Sequence, residues 1–467
     1  MKMWSGRFRQ PLDPEFERWQ RSFGFDVRLL RYELAASGAH ARALKNAGIL
    51  SADELISILQ GLEQIAKKAA DSASFLEDSE AEDVHHFVEK QLAALIGETG
   101  YKLHSGRSRN EQIATDLRLY VRAAIDQLRD ELGELCNVMA DRAEQAADAA
   151  MPAYTHLQRA EPVLVGHWLL AYVEMFLRDA DRLADCRKRM NVCPLGSGAV
   201  AGATLPLDRS AMASSLGFDG STANSVDATS DRDFVVEFVN SLSLLATHLS
   251  RWAEEMILFS TQEYGFVGLP EAYSTGSSAM PQKKNPDLLE LVRGKSGRVI
   301  GNATALIVAV KGLPLAYNKD LQETQEPLFD SSDTLLQVLP LVTGFMKAVE
   351  FHHERMQEAA GSGFMNAWAA ATYLVNRGVP SRLAHERVGK AVQLCLERGC
   401  ELHELPLGDL RELSPAFDQD FYEALKLCSV LAVHDVPGGT APARVRQALG
   451  VARKKIECLR EEAHAHA

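Results

Sequence analysis

Ser274-Thr275-Gly276-Ser277-Ser278-Ala279-Met280-Pro281-Gln282-Lys283-Lys284-Asn285-Pro286-Asp287 places small, flexible residues ahead of two adjacent lysines and an asparagine between prolines. An apolar-periodic run, 288–310, follows at once. Two readings are open for the polar part. It is either a solvated turn capped by prolines, or a mobile loop that offers Ser277 and Lys283 to a substrate beside a helix N-terminus suited to an anion.

The run behind the loop is one of five. Ile113, Leu117, Val121, Ile125, Leu128, Leu132, Leu135 and Met139 recur every three or four residues, as do Val235, Phe238, Leu242, Leu245, Leu249, Trp252, Met256 and Phe259. Stripes of the same kind occupy 163–190 and 328–351. This spacing makes one face of each helix apolar, which is what a bundle buries. At 1.5 Å per residue, a 25-residue helix is about 37 Å long. No useful stretch alternates with period two, so the expected class is all-α with a central bundle of long helices.

Around the bundle, 1–25 reads as an irregular arm carrying Trp4, Arg7, Phe8, Trp19, Arg21 and Phe23. A helix is expected over 26–46 with Gly48 at its end. Ser51-Ala52-Asp53-Glu54 has the form of a capping box that starts the next helix. An acidic helix over 81–95 carries Asp83, His85 and His86. The two histidines point to different sides, which favours polar or packing roles over a shared metal. Beyond 361 the helices shorten and glycine and proline punctuate them. The expected parts are therefore 1–107, a bundle over 108–360, and a smaller helical part over 361–467, whose His464 and His466 fall in a fraying end.

At 467 residues the chain is long enough for more than one domain. A formal charge of −13 disfavours nucleic acid and anionic membranes as partners, because both need clustered cations. The segment 1–10 has cations but no apolar run behind them, so a secretory signal is not expected, and no run reaches membrane-spanning length. Seven scattered cysteines without a Cys-x-x-Cys pair suit reduced thiols in the cytoplasm.

Three further polar interruptions separate the helices: His104-Ser105-Gly106-Arg107-Ser108-Arg109-Asn110, Tyr154-Thr155-His156-Leu157-Gln158-Arg159 and Tyr317-Asn318-Lys319-Asp320-Leu321-Gln322. With the opening loop they offer cations, amides, hydroxyls and His156, an inventory suited to a polar substrate with several carboxylates. No P-loop, dinucleotide fingerprint or metal-ligand frame is present. Ser277 lies outside any Gly-x-Ser-x-Gly elbow, which sets it apart from a hydrolase nucleophile. Each interruption borders a long helix, where bundles build sites from several helices.

Gly276-Ser277-Ser278-Ala279-Met280-Pro281-Gln282-Lys283-Lys284-Asn285 resembles the signature loop of the fumarase/aspartase superfamily. Trp4-Ser5-Gly6-Arg7-Phe8, LHSGRSRNEQ from Leu103, YTHLQRA from Tyr154, NSVDATSDRDF from Asn224 and YNKDLQE from Tyr317 are similar to the argininosuccinate lyase family within it. The resemblance implies a homotetramer with one shared bundle and sites built from three subunits. It implies reversible cleavage of argininosuccinate to arginine and fumarate, in arginine biosynthesis and without a cofactor. By similarity Ser277 is the base and His156 the acid, with Glu290 orienting His156. Lys283 and Asn285 would bind the carboxylate where charge accumulates. Ser22, Arg109, Asn110, Thr155, Tyr317 and Gln322 would hold the rest of the substrate.

Two departures stand out: Gln325 where the family commonly has lysine, and Glu161 where glutamine is frequent. Adenylosuccinate lyase, fumarase and aspartase share the signature loop. Structural proteins of the delta-crystallin kind share the fold and can lack activity.

Overall fold

The computed structural model describes residues 10–77 and 80–465. The predicted arm residues Trp4, Arg7 and Phe8, and the terminal His466, lie outside the described residues, as does the His464 side chain. The rest of the arm is more regular than expected. Pro14–Trp19 is a short helix whose first N–H groups are taken by Asp13 Oδ1, at 2.9 Å from Glu15 and 3.0 Å from Phe16.

Helix α1 (Leu30–Asn46) starts four residues later than its periodicity suggests, behind a 3-10 turn at Val27–Leu29. Its end is as expected: Gly48 takes a left-handed φ of 77°, and the N–H of Ile49 bonds back to Leu44. Helix α2 (Ala52–Asp71) begins with the complete Ser51/Glu54 capping box. Helix α3 (Val84–Ile96) is N-capped by Asp83. Gly61 lets α2 and α3 approach closely, since a Cβ there would lie 2.5 Å from Leu92 Cδ1.

The five apolar stripes are five long helices: α4 (Arg109–Gln145), α5 (Val165–Met190), α6 (Asp233–Ser260), α7 (Asp287–Val310) and α8 (Gln325–Ala348). Among the described residues, strands occur only as four two-stranded pairs. One was not foreseen. β1 (Ala150–Thr155) and β2 (Gln158–Leu164) form an antiparallel hairpin just before α5.

The chain divides into two compact units. The first comprises the described residues of Met1–Asp126, Arg182–Ser243 and Arg298–Thr334. One of its cores joins Ala36, Ala39 and Ala43 of α1 to Leu119, Met212 and Phe218. The second comprises Gln127–Asp181, Leu244–Gly297 and the described part of Leu335–Ala467. There Leu374, Val388, Leu402, Phe417 and Phe421 form a cluster drawn entirely from residues after 361. No described helix is long and apolar enough to cross a membrane.

Candidate active site

The structure places the eleven predicted site residues in three sets. Ser22, Arg109, Asn110, Tyr317 and Gln322 line one cavity of about 140 Å³ in the first unit. Ser22 Oγ donates to Asp26 Oδ2 at 2.6 Å, and Gln322 Nε2 donates to the Gln20 carbonyl at 3.2 Å. Arg109 opens α4. Its Nη1 donates to Asp83 Oδ2 at 2.9 Å and lies 3.4 Å from Glu82. Asn110 Nδ2 donates to the Ala199 carbonyl at 3.2 Å.

Asp26, Glu82, Asp83, His85 and Lys319 line the same cavity, as does Gln325, which is outside the expected set. Burial and the nearby Asp83 carboxylate raise Asp26 to about 7, against the hydrogen bond from Ser22. The acids also do local work. Asp83 Oδ1 caps α3 at 2.7 Å from His86 N–H while Oδ2 holds Arg109. The cavity thus presents acids (Asp26, Glu82, Asp83) together with cations (Arg109, Lys319). Around it, Arg109 Nε, His85 Nε2 and Gln325 Oε1 are buried without a hydrogen-bond partner. Unpaired buried polar atoms cost about 1–3 kcal/mol each, so a ligand that pairs with them gains that much.

His85 also reaches away from the cavity. Its Nδ1 lies 3.0 Å from Glu33 Oε2 and 3.7 Å from Asp116 Oδ2, all deeply buried. Burial opposes a charge on either partner of this pair. Even so, Glu33 raises His85 to about 9, while His85 and Arg107 lower Glu33 to about 2. Burial and Glu33 push Asp116 well above the usual carboxylate range. These three ligand atoms are close enough for a metal ion, within 4.8 Å of one another. However, Glu33 already accepts from Ser37 at 2.6 Å and Gln112 at 3.0 Å, with the Arg107 cation 3.7 Å away. Those contacts give Glu33 and His85 polar partners within the protein.

The second set is the opening loop. Thr275–Gly276 pairs with Lys284–Asn285 as a short antiparallel hairpin. Asp287 at the start of α7 ties its base, accepting from Thr275 N at 3.0 Å and Oγ1 at 2.7 Å. Ser277, at the turn, has its Oγ facing two backbone donors, Ala279 N at 3.3 Å and Met280 N at 3.1 Å. Lys283 and Glu290 are exposed, and Asn285 Nδ2 donates to Thr275 Oγ1 at 3.4 Å.

The third set is the β1–β2 tip. Thr155 pairs with Gln158 across the two-residue turn His156-Leu157. Both turn residues are left-handed, at φ 54° and 57°, the type I′ geometry that normally calls for Asn-Gly. His156 is held out into solvent, and Leu157 is 67% exposed. Such strain on non-glycine residues persists where the surroundings over-determine it, often at functional sites. Among the described residues, no hydrogen bond or ion pair links Thr155 or His156 to Ser277, Lys283 or Glu290.

A lyase family model matches residues 6–301, and a model described as the argininosuccinate lyase C-terminal region matches 364–432. An argininosuccinate lyase from Koribacter versatilis is 60% identical over 467 residues, covering all of both chains. One from Acidobacterium capsulatum is 59% identical over 460 residues, covering 97% of this chain and 95% of the relative. Among solved structures, EDDS lyase superposes with a TM-score of 0.86 at 28% identity, over 98% of this chain and 93% of that one. A class II fumarase from Schistosoma mansoni shares the fold, with a TM-score of 0.73 at 18% identity, over 85% and 90% of the two chains. With two family models spanning most of its length and relatives of that identity end to end, this chain belongs to the argininosuccinate lyase family.

Proposed function

We infer that this protein cleaves argininosuccinate reversibly to L-arginine and fumarate, by β-elimination and without a cofactor. The observation that carries the substrate is the cavity of the first unit. Its acids and cations match the ammonium and carboxylate of an amino-acid head group, and its orphaned polar atoms ask for such a ligand. Arg109, Asn110, Ser22, Tyr317 and Gln322 hold that end, with Asp26, Glu82 and Asp83 facing the positive charge.

The chemistry belongs to the other two sets. A proton beside a carboxylate is barely acidic, and its removal leaves a dianionic aci-carboxylate. Groups aimed at that developing charge lower the barrier more than groups that bind the ground state. Lys283 and Asn285 serve this role, and Thr155 holds the substrate beside them. Ser277 removes the proton. A serine alkoxide is unstable in water, and the N–H groups of Ala279 and Met280 already converge on its oxygen. His156 protonates the departing guanidino nitrogen, and Glu290 orients it.

No hydrogen bond joins His156 to Ser277 among the described residues, which supports a site completed by association. Leu291, Ile300, Ile307 and Val308 of α7 are 44–59% exposed, apolar surface that supports a homotetramer with sites shared by three subunits. The three-part division at 107 and 360 is part of the same reading, supported by the separate core beyond 361. So is residence in the cytoplasm, supported by seven free cysteines. The test is a substrate panel. Fumarate should appear from argininosuccinate and not from adenylosuccinate, malate or aspartate; release from one of those instead refutes the assignment. A folded tetramer inert on all four would point to a structural protein.

A further inference from the structure

Two cysteines stand at the end of helix α9 (Ser381–Arg398), away from the three sets of site residues. The helix stops where Gly399 turns left-handed at φ 65°, and the N–H of Cys400 donates back to the Cys395 carbonyl at 3.0 Å. This closure sets the side chain three positions before the cap against the one just past the glycine. Cys395 is fully buried, and the half-buried Cys400 packs on the same apolar cluster.

The residues just beyond Cys400 connect this thiol pair to the site. Glu401 Oε1 accepts the N–H of Gly363 at 3.0 Å, and its own N–H donates to Glu404 Oε2 at 2.8 Å. Gly363 and Phe364 both sit at positive φ, 76° and 62°, so this turn depends on its clamps. In the same turn Ser362 Oγ accepts from Arg159 Nη1 at 3.2 Å, and the Ala359 carbonyl accepts from it at 3.3 Å. Arg159 stands on β2, three residues past His156.

We propose that Cys395 and Cys400 form a reversible disulfide under hydroperoxide, and that closing it shifts the hairpin carrying His156. Hydrogen peroxide is the oxidant. The Cys400 thiolate attacks one peroxide oxygen, the O–O bond breaks, and a sulfenic acid and one water result. Cys395 gives up its proton and attacks that sulfur; the S–S bond forms and a second water leaves. Two thiols lose two electrons and two protons, and one peroxide becomes two waters. Burial pushes the Cys395 thiol up to about 12, which leaves the first attack to Cys400. Drawing the sulfurs to a bond of about 2 Å moves Cys400, and Glu401 with it, against the Gly363 turn.

The test uses the full chain, titrated with hydrogen peroxide, alkylated, digested with trypsin and mapped by mass spectrometry, with turnover followed in parallel. Trypsin cuts after Arg398, so a Cys395–Cys400 bond joins two peptides that separate on reduction. The expected result is that cross-link, reversed by dithiothreitol. A fall in kcat of about threefold or more should accompany it, well inside the roughly 10²-fold that a 1 Å misplacement can cost. Cys400→Ser should show neither effect, and Cys395→Ala should stop at a trappable sulfenic acid. Cys400 ending as a sulfinic acid or unreacted, with no cross-link, overturns the proposal. A cross-link with unchanged turnover overturns the link to His156. The mapping does not depend on which substrate the enzyme takes, so its failure is distinct from failure of the assigned reaction.

Discussion

Binding of arginine should expel a proton from Asp26. In the free protein this carboxyl is buried among Ser22, Val84 N–H, Asp83 and His85, and burial with Asp83 raises it to about 7. An ammonium or guanidinium brought beside it favours the carboxylate and lowers its pKa by about 1–3 units. With a drop of two units, to about 5, Asp26 goes at pH 6.5 from about three-quarters protonated to almost fully ionised, releasing about 0.7 proton per site. Affinity should then rise on the order of 40-fold from pH 5 to pH 8, about 25-fold of it below pH 7.

The assay is titration calorimetry with arginine in buffers of different ionisation enthalpy, at pH 6.5 and pH 8. The slope of heat against buffer enthalpy gives the proton count, which should approach zero at the higher pH. Asp26→Asn keeps the shape and most of the hydrogen bonding, and should abolish the pH 6.5 release while weakening binding. The same shift fixes the sign of a stability effect. A folded pKa raised from 3.8 to about 7 means stability present at low pH is lost as pH rises through that window, by about 4 kcal/mol. Urea midpoints of the free enzyme should therefore fall from pH 5 to pH 7.5 relative to those of Asp26→Asn. Proton release unchanged by Asp26→Asn, or absent from the wild type at pH 6.5, would refute the assignment of the positive end of the substrate to this cavity.

Three further outcomes bear on the chemistry. Ser277→Ala should lower kcat by at least ~10², the size of a lost acid–base group; near-normal turnover in a steady-state assay removes Ser277 from the base role. His156→Asn should spare a substrate with a better leaving group more than argininosuccinate, and equal losses on both count against its role as acid. Mixing inactive His156→Asn and Ser277→Ala proteins under conditions of subunit exchange should restore part of the activity through hybrid tetramers. No recovery, with exchange demonstrated by mass, argues against shared sites.

The helices were legible because their information is one-dimensional. Leu242, Leu245, Leu249 and Trp252 declare a buried stripe by spacing alone, and all four are fully buried. The cavity of the first unit was half legible. Its cations and amides stand in conspicuous polar breaks. Its acids come from two segments, around 26 and around 83, where a carboxylate beside a helix start looks like a cap.

The β1–β2 hairpin was hidden for a different reason. Pro152 faces Pro162 across it, and neither can donate to the ladder, so each demotes its segment as a strand; a register shift between Pro152 and Tyr154 breaks the alternation as well. At the tip, His156-Leu157 lacks the Asn-Gly signal of its turn. Holding two side chains left-handed costs about 1–2 kcal/mol per residue. Nothing local repays that. The pairing of β1 with β2 and the grip of Ala359 and Ser362 on Arg159 must hold the turn from outside. A histidine presented this way has its backbone set by the tertiary structure rather than by its own sequence. The local rules fail at His156 because the hairpin pairing and the Arg159 contacts, not the two turn residues, set its backbone.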